Sequence, residues 1–214
     1  MEIHAPHKPV LTLKEAAVHL TIVTIGILIA LSLEGLLDRS RHAALVREAR
    51  ANVASELRSN KDKLERLISE LPGMTTRIEH AIDILDRTGP DAARLFRIGT
   101  GSVLEGYDLA ELSSASRTTA EVTGAFGLMD YAEVKKYAAA YDRQALYDKV
   151  QNDSWNNAVA AFSLGHALDM QKASATEIAD VKRQLRLAAG SLIIEQQVAV
   201  ALTKGYARAL GEMP

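Results

Sequence analysis

The sequence predicts an all-α protein: an N-terminal transmembrane helix continues into a helical stalk, followed by a bundle that ends in a long antiparallel helix hairpin. Three observations predict this fold. Between Glu15 and Asp38, 22 residues carry a single charged side chain, Glu34. The 214-residue chain has only five prolines and 13 glycines, which favours long helices. Apolar residues recur at helical spacing, and no segment shows the alternation of a strand.

Composition limits the classes of function. The net charge is −2, and the contents of 48% hydrophobic and 24% charged residues are typical of a globular domain. Nucleic acid is not an expected partner, because there is no basic excess to neutralise phosphates. Cysteine is absent, which excludes disulfides and thiolate metal sites. The length suits one anchor and one domain of roughly 150–175 residues.

Residues 1–15 are predicted to form an N-terminal tail and residues 16–37 a transmembrane helix. As a helix, this span would be about 33 Å long, enough to cross a hydrocarbon core of about 30 Å. A cleaved signal peptide and the core helix of a soluble domain are the alternatives. Residues 32–37 match a signal-peptidase site poorly, so the anchor is the preferred interpretation.

The polar and small residues of the span indicate a helix-packing face. Gly26 and Ala30 form a small-xxx-small pair, which lets another helix approach closely. Glu34 follows one turn later on roughly the same face. Its carboxylate either reaches the membrane interface or pairs with a partner helix inside the membrane.

The predicted stalk covers residues 38–71 and carries a heptad seam. Two interleaved sets of residues repeat every seven positions: Val46, Val53, Asn60 and Leu67 in one set, and Leu57, Leu64 and Leu71 in the other. This pattern fits either a parallel coiled coil or a helix packed in a bundle, and the bundle helix is preferred. Leu71-Pro72-Gly73 is predicted to end the helix. The bundle domain then covers residues 74–214.

Within the bundle, capping signals predict the helices that follow. One helix is expected from Met74 to Asp86, and a glycine-containing loop without nucleotide-binding spacing over 98–107. Capping boxes at Thr118, Asp130 and Ser174 then predict the beginnings of three helices. The first is short and ends at Met129, the second is long and extends toward Lys172 with a break near 152–154, and the third ends at Leu210. Only Ala173 separates the last two helices, which predicts a tight hairpin.

Candidate sites for chemistry are few. Tyr141, Trp155 and Phe162 fall on one face of the long helix, as core residues or as the lining of a ligand pocket. His166 and Asp169 are spaced i, i+3, but no Glu-x-x-His motif accompanies them. The G-x-S-x-G and H-E-x-x-H motifs are absent too. We therefore expect no enzyme activity, metal or cofactor.

Parts of the sequence resemble a group of uncharacterised bacterial single-pass membrane proteins. The N-terminal likeness comprises His4, Pro6, His7, Lys8 and Pro9, then Lys14-Glu15, then Ala30–Gly35, then Arg39, Arg41 and His42. The later likeness comprises Thr119-Ala120, Thr123–Ala125, Met129–Tyr131, Val134 and Tyr137-Ala138. The resemblance carries no activity. It implies a cytoplasmic N-terminus and a periplasmic domain.

Taken together, these features predict a non-catalytic accessory or scaffold subunit of a larger bacterial inner-membrane complex. The expected partners are the membrane and either other membrane-protein subunits or a second copy of the chain. The alternative is a membrane-anchored helical sensor that binds a small ligand. A periplasmic domain is expected, although Lys8 and Lys14 precede the span and five cations follow it within 21 residues, a balance that favours a cytoplasmic domain.

Overall fold

The computed structural model describes residues 13–87, 96, 104 and 107–212. Over these residues the chain is helical and contains no strand, which confirms the all-α prediction. The α-helices are α1 (Leu13–Ile84), α2 (Ala115–Val122), α3 (Tyr131–Ala167) and α4 (Ala175–Leu210), and a 3₁₀ helix covers Ala125–Leu128. Most of the predicted N-terminal tail and of the 98–107 loop lies outside the described residues. The chain divides into two compact units, with the boundary between Glu48 and Ala49.

The described part of the first unit is the beginning of α1. Every side chain from Leu13 to Ala44 is exposed, and the most apolar 18-residue window has a mean hydropathy of 2.3. The hydroxyls of Thr21, Thr24 and Ser32 each donate to the carbonyl four residues earlier, at 2.7–2.9 Å. These local bonds satisfy hydroxyl groups that would find no water in a hydrocarbon environment.

Two helices of the described chain are long and apolar enough to cross a membrane. They are α1, near the N-terminus, and α4. The two differ in burial: none of the apolar window of α1 is buried, whereas 39% of the α4 window is. By length and composition alone, the core helix of a soluble domain passes the same test as a membrane span.

The second unit has one hydrophobic core. Its buried side chains come mainly from the later part of α1 and from α3 and α4, and the heptad seam of α1 supplies Val53, Leu57, Leu64, Leu67 and Leu71. The seam therefore packs within the chain, as the bundle interpretation predicts. Burial of each such aliphatic side chain contributes about 1.5–3 kcal/mol before conformational entropy is considered.

The predicted end of the first helix at Leu71-Pro72-Gly73 is wrong, because α1 continues to Ile84. Proline has no N–H and leaves the carbonyl of residue i−4 without its helical partner. Here that carbonyl belongs to Ile68, and the Gln196 side-chain amide donates to it at 3.3 Å. The predicted stalk and the predicted Met74–Asp86 helix are therefore parts of one helix.

The short helix before α3 also differs from its prediction. It begins at Ala115 and ends at Val122, and Thr118 is an interior residue whose hydroxyl donates to the Ser114 carbonyl at 3.2 Å. Gly124 then adopts a left-handed conformation with φ +74°, where a side chain would be strained. This turn ends the helix well before Met129.

The beginning of α3 agrees with the sequence, but its course and its end do not. Asp130 caps the helix, with its carboxylate accepting from the amides of Ala132 and Glu133 at 2.8 and 3.2 Å. The helix is unbroken near 152–154 and ends at Ala167, before the predicted Lys172.

The C-terminal helix pair confirms the predicted hairpin. The Ser174 capping box at the beginning of α4 is complete. Residues later in α3 contact residues earlier in α4, as expected for antiparallel helices. The hydrogen bonds join Gln144 to Tyr206, Tyr147 to Glu195, and Ser154 to Ser191. The linker covers residues 168–174, which is longer than the predicted single residue.

Candidate functional site

The predicted helix-packing residues lie on one face of the apolar part of α1. Gly26, Ala30 and Glu34 are spaced by four residues each, so they form one stripe along the helix. All three are exposed, and a Cβ added at Gly26 would meet no heavy atom within 4 Å. Within the described chain, this stripe is therefore open to an external partner or to lipid.

The second unit contains a buried acidic residue that was not among the candidate residues predicted from the sequence. Glu195 of α4 is completely buried. Its Oε2 atom accepts a hydrogen bond from the Tyr107 hydroxyl at 2.7 Å, and the Tyr147 hydroxyl lies 3.3 Å from Oε1. Tyr147 also donates to Gln151 Oε1 at 2.7 Å, and the amide of Ala110 donates to the same oxygen at 2.9 Å.

The surroundings of Glu195 favour its neutral form. Burial raises the pKa of Glu195, and this effect exceeds the opposing contributions of the Tyr107, Ser154 and Tyr147 hydroxyls. The Tyr147 hydroxyl is within donor distance of two oxygens, Gln151 Oε1 at 2.7 Å and Glu195 Oε1 at 3.3 Å, and the shorter bond goes to Gln151. Burial also raises the pKa of both tyrosines, so both remain protonated phenols.

The sequence did contain a signal for Glu195. It is the sole acid between Val181 and Leu210, and it falls on the apolar stripe that also contains Leu192 and Ala199. An acid on the buried face of a helix requires hydrogen-bond partners. Sequence reasoning could not identify them, because Tyr107 is 88 residues away and outside any helix.

A cavity of about 560 Å³ lies beside a stacked aromatic pair. The ring centroids of Tyr107 and Trp155 are 5.5 Å apart, with an angle of 26° between the ring planes. Charged side chains of both signs complete much of the lining: Lys63, Arg66, Glu70, Asp108 and Glu111. Because the Tyr107 hydroxyl also bonds Glu195, this residue connects the cavity wall to the buried carboxylate.

The three aromatic residues predicted as a ligand pocket have separate neighbours. Tyr141 donates from its hydroxyl to Glu56 Oε1 at 2.6 Å. Trp155 stacks on Tyr107, and Phe162 stacks on His166 with ring centroids 5.7 Å apart. Of the three, Trp155 alone lines the cavity described above.

Glu56 forms a second polar cluster, which is partly buried. Its Oε2 accepts from the Ser113 hydroxyl at 2.6 Å and from the Ser116 amide at 2.9 Å, while Oε1 accepts from Tyr141. Burial would raise the pKa of Glu56, but the hydrogen bonds from these groups outweigh it and lower the pKa. Glu56 is therefore a stable carboxylate that fastens the segment before α2 to α1.

Asn60, the polar interruption of the heptad seam, holds the same segment. Its amide nitrogen donates to the Ser113 carbonyl at 2.8 Å, and its Oδ1 accepts from the Ser113 amide at 3.0 Å. Gln144 donates to that carbonyl as well and accepts from the Tyr206 hydroxyl at 2.8 Å. These hydrogen bonds satisfy the buried Asn60 side chain and explain why a polar residue occupies this position of the seam.

The described residues contain no group of three or more metal-ligating side chains. His166 and Asp169 lie near the end of α3, and the Asp169 carboxylate pairs with Lys172 at 3.6 Å. No protein-family model, curated protein or solved structure matches the chain.

Proposed function

We propose that the chain is a non-catalytic accessory or scaffold subunit of a larger bacterial inner-membrane complex. The observation that carries the proposal is the exposed apolar part of α1. Its 18-residue window has a mean hydropathy of 2.3 and no burial within the described chain. Exposure of so long an apolar helix to water is unfavourable by about 25 cal/mol per Å². A bilayer removes this cost.

A single membrane crossing by α1 fits the chain better than two. Helix α4 also passes the length and composition test, but its buried face contributes Leu185, Leu192 and Ala199 to the hydrophobic core. It also carries Glu195, whose partners Tyr107 and Tyr147 lie outside α4. Insertion of α4 would separate this carboxyl group from both tyrosines.

The proposed contact with a partner subunit uses Gly26, Ala30 and Glu34. Small residues at i and i+4 permit close backbone approach of a second helix, which is the usual basis of helix association in lipid. A carboxyl group at this position gains from a hydrogen-bond partner on a neighbouring helix. A span that contacts lipid alone requires neither feature.

Co-purification from the native membrane tests this role. The span variants Gly26→Leu and Glu34→Leu are expected to lose most of the associated subunits after extraction in mild detergent. The matched control is Leu28→Ile, which lies on the opposite side of the helix and keeps the residue size. Unchanged co-purification by both variants would overturn the proposal.

The proposed location is the inner membrane with a periplasmic domain. Protease added to intact spheroplasts is then expected to digest the domain without lysis of the inner membrane. Protection of the domain until lysis would place it in the cytoplasm instead. This measurement resolves the conflict between the charge balance around the span and the implied orientation.

The cavity beside Trp155 favours one alternative function, a membrane-anchored sensor. Its volume of about 560 Å³ lies in the range of small-molecule sites, and it combines aromatic faces with charged groups. Thermal-shift screening of the full chain in detergent would test this role. A ligand that raises the melting temperature of the wild type but not of Trp155→Ala would support it, and a screen without such a ligand would count against it.

A further inference from the structure

We propose that the exposed face of α4 between Arg186 and Arg208, called here the α4 face, docks a helix of a partner protein with an apolar centre and acidic ends. This inference rests on the proposed function, since it gives the accessory subunit a second contact outside the membrane span.

The exposed residues of α4 fall on one side of the helix. At 100° per residue, the positions of Leu187, Ile194 and Ala201 coincide within a sector of about 40°. Ile193 lies at the edge of the same face. Leu187, Ile193 and Ile194 are 51%, 44% and 55% exposed. Three large aliphatic side chains on one side of the helix are thus about half exposed, although the opposite side packs in the core.

A depression separates two of these side chains. Gly190 lies between Leu187 and Ile194 on the same face, and a Cβ added there would meet no heavy atom within 4 Å. A glycine flanked by two aliphatic side chains one turn away on each side forms a hole that an apolar side chain can fill. Interdigitation of this kind is the ordinary geometry of helix–helix packing.

The charges of the α4 face have one sign. Of the five cations in 181–210, Lys182 pairs with Asp86 and Arg183 with Asp180. The remaining three make no ion pair with any described residue: Arg186, Lys204 and Arg208. The single acid of this stretch, Glu195, is buried on the other side.

These unpaired cations lie at both ends of the apolar centre. Arg186 precedes Leu187, while Lys204 and Arg208 follow Ala201, so the two ends are about 27 Å apart at 1.5 Å per residue. A partner helix of about 18–22 residues matches this length. Acids near its two ends would complement the cations, and apolar residues between them would cover Leu187 and Ile194.

A second copy of the chain fits this surface poorly. Antiparallel pairing of two α4 faces would place Arg186 of one copy against Lys204 or Arg208 of the other, and parallel pairing would place each cation against itself. Either arrangement brings like charges together, which is unfavourable. A lipid surface fits less well too, because interfacial helices place cations on the polar side, whereas these share the face of the apolar residues.

Site-specific photocrosslinking of the full chain in its native membrane tests the inference. Benzoylphenylalanine replaces Ile194 in one chain and Asn156, an exposed residue of α3, in the control. After irradiation, the crosslinked peptide is sequenced. The inference predicts an adduct at position 194 to another protein, in a segment with helically spaced apolar residues flanked by Asp or Glu.

Four results would overturn it: a peptide of this same chain, a lipid adduct, no adduct at position 194, or an equal adduct of the same partner at position 156. A charge test accompanies the experiment. In the chain labelled at position 194, Lys204→Glu with Arg208→Glu should lower the yield about tenfold. The control Lys135→Glu with Lys136→Glu makes the same charge change on α3 and should leave the yield unchanged; equal losses would count against the proposal.

The outcome is separable from that of the proposed function. Loss of partners through Gly26→Leu and Glu34→Leu, together with absence of the position-194 adduct, would reject the α4 face and retain the accessory role. An adduct that meets the criteria while the span variants keep all partners would locate the subunit contact in the domain instead. Absence of both effects would reject both.

Discussion

The side-chain amide of Gln196 donates a hydrogen bond to the backbone carbonyl of Ile68 at 3.3 Å. This is the carbonyl that Pro72 cannot satisfy, because proline has no N–H to donate. A residue of α4 thus replaces a missing backbone bond of α1, and the longest helix of the chain passes through a proline without ending.

This relationship predicts non-additive mutational effects. Gln196→Leu should lower the free energy of unfolding by about 1–2 kcal/mol, because it leaves the Ile68 carbonyl without a donor. In a Pro72→Ala background the same substitution should cost much less, since the new amide of residue 72 can bond that carbonyl. Urea unfolding of the full chain in detergent measures the cycle. The exposed Gln171→Leu is the control, and equal costs in both backgrounds would contradict the interpretation.

The buried carboxyl group of Glu195 predicts a loss of stability as pH rises. Burial raises its pKa, whereas the unfolded chain releases this proton near the ordinary glutamate pKa of about 4.5. Between these two pKa values the native state binds more protons than the unfolded state, so the free energy of unfolding falls with rising pH. Glu195→Gln remains neutral and should lack this slope. Parallel pH profiles of wild type and variant would contradict the prediction.

Glu56 predicts the opposite slope. Its pKa is lowered by hydrogen bonds from Ser113, Tyr141 and the Ser116 amide, although burial opposes them. Its stabilising effect is therefore present above the unfolded pKa and lost as pH falls through the folded value. Glu56→Gln should lower the free energy of unfolding at pH 7 by about 1.5–3 kcal/mol. The free energy of unfolding of the variant should also fall less steeply as pH is lowered. Denaturation of the wild type and of Glu56→Gln between pH 3 and 7 measures this difference. Equal loss of stability by both on acidification would contradict the prediction.

Removal of the apolar part of α1 should release a folded domain. The core of the second unit lies within residues from Ala49 onward, so a chain of residues 39–214 keeps all of its buried clusters. We expect it to remain in solution without detergent and to unfold cooperatively. Sedimentation with protein-free lipid vesicles and circular dichroism measure both properties. Persistent vesicle association of this shortened chain would show that the domain itself binds lipid.

The sequence was sufficient where the controlling interactions are local. The apolar run before Glu34, the caps at Asp130 and Ser174, and the hairpin of α3 and α4 all depend on residues close together in the chain. The course of α1 past Pro72 was not predictable in this way, because the compensating donor, Gln196, lies 128 residues from the carbonyl it satisfies.

The same distinction applies to the candidate site. The position of Trp155 on one face of the long helix predicts a core residue or a pocket-lining residue, and Trp155 does line the cavity. Its stacking partner, Tyr107, lies in a non-helical segment with no periodicity to connect it with α3. Tyr141 shares that helix face in the sequence, but its hydroxyl donates to Glu56 of α1, a contact that the spacing within α3 does not predict.

The bond between Gln196 and Ile68 also bears on the order of events during synthesis. The ribosome produces Pro72 long before Gln196, so before α4 has been made the Ile68 carbonyl has only water as a substitute for its missing helical partner. The protein donor arrives when α4 docks against α1. Helix α1 therefore reaches its full stability around Pro72 late, after the C-terminal hairpin has formed.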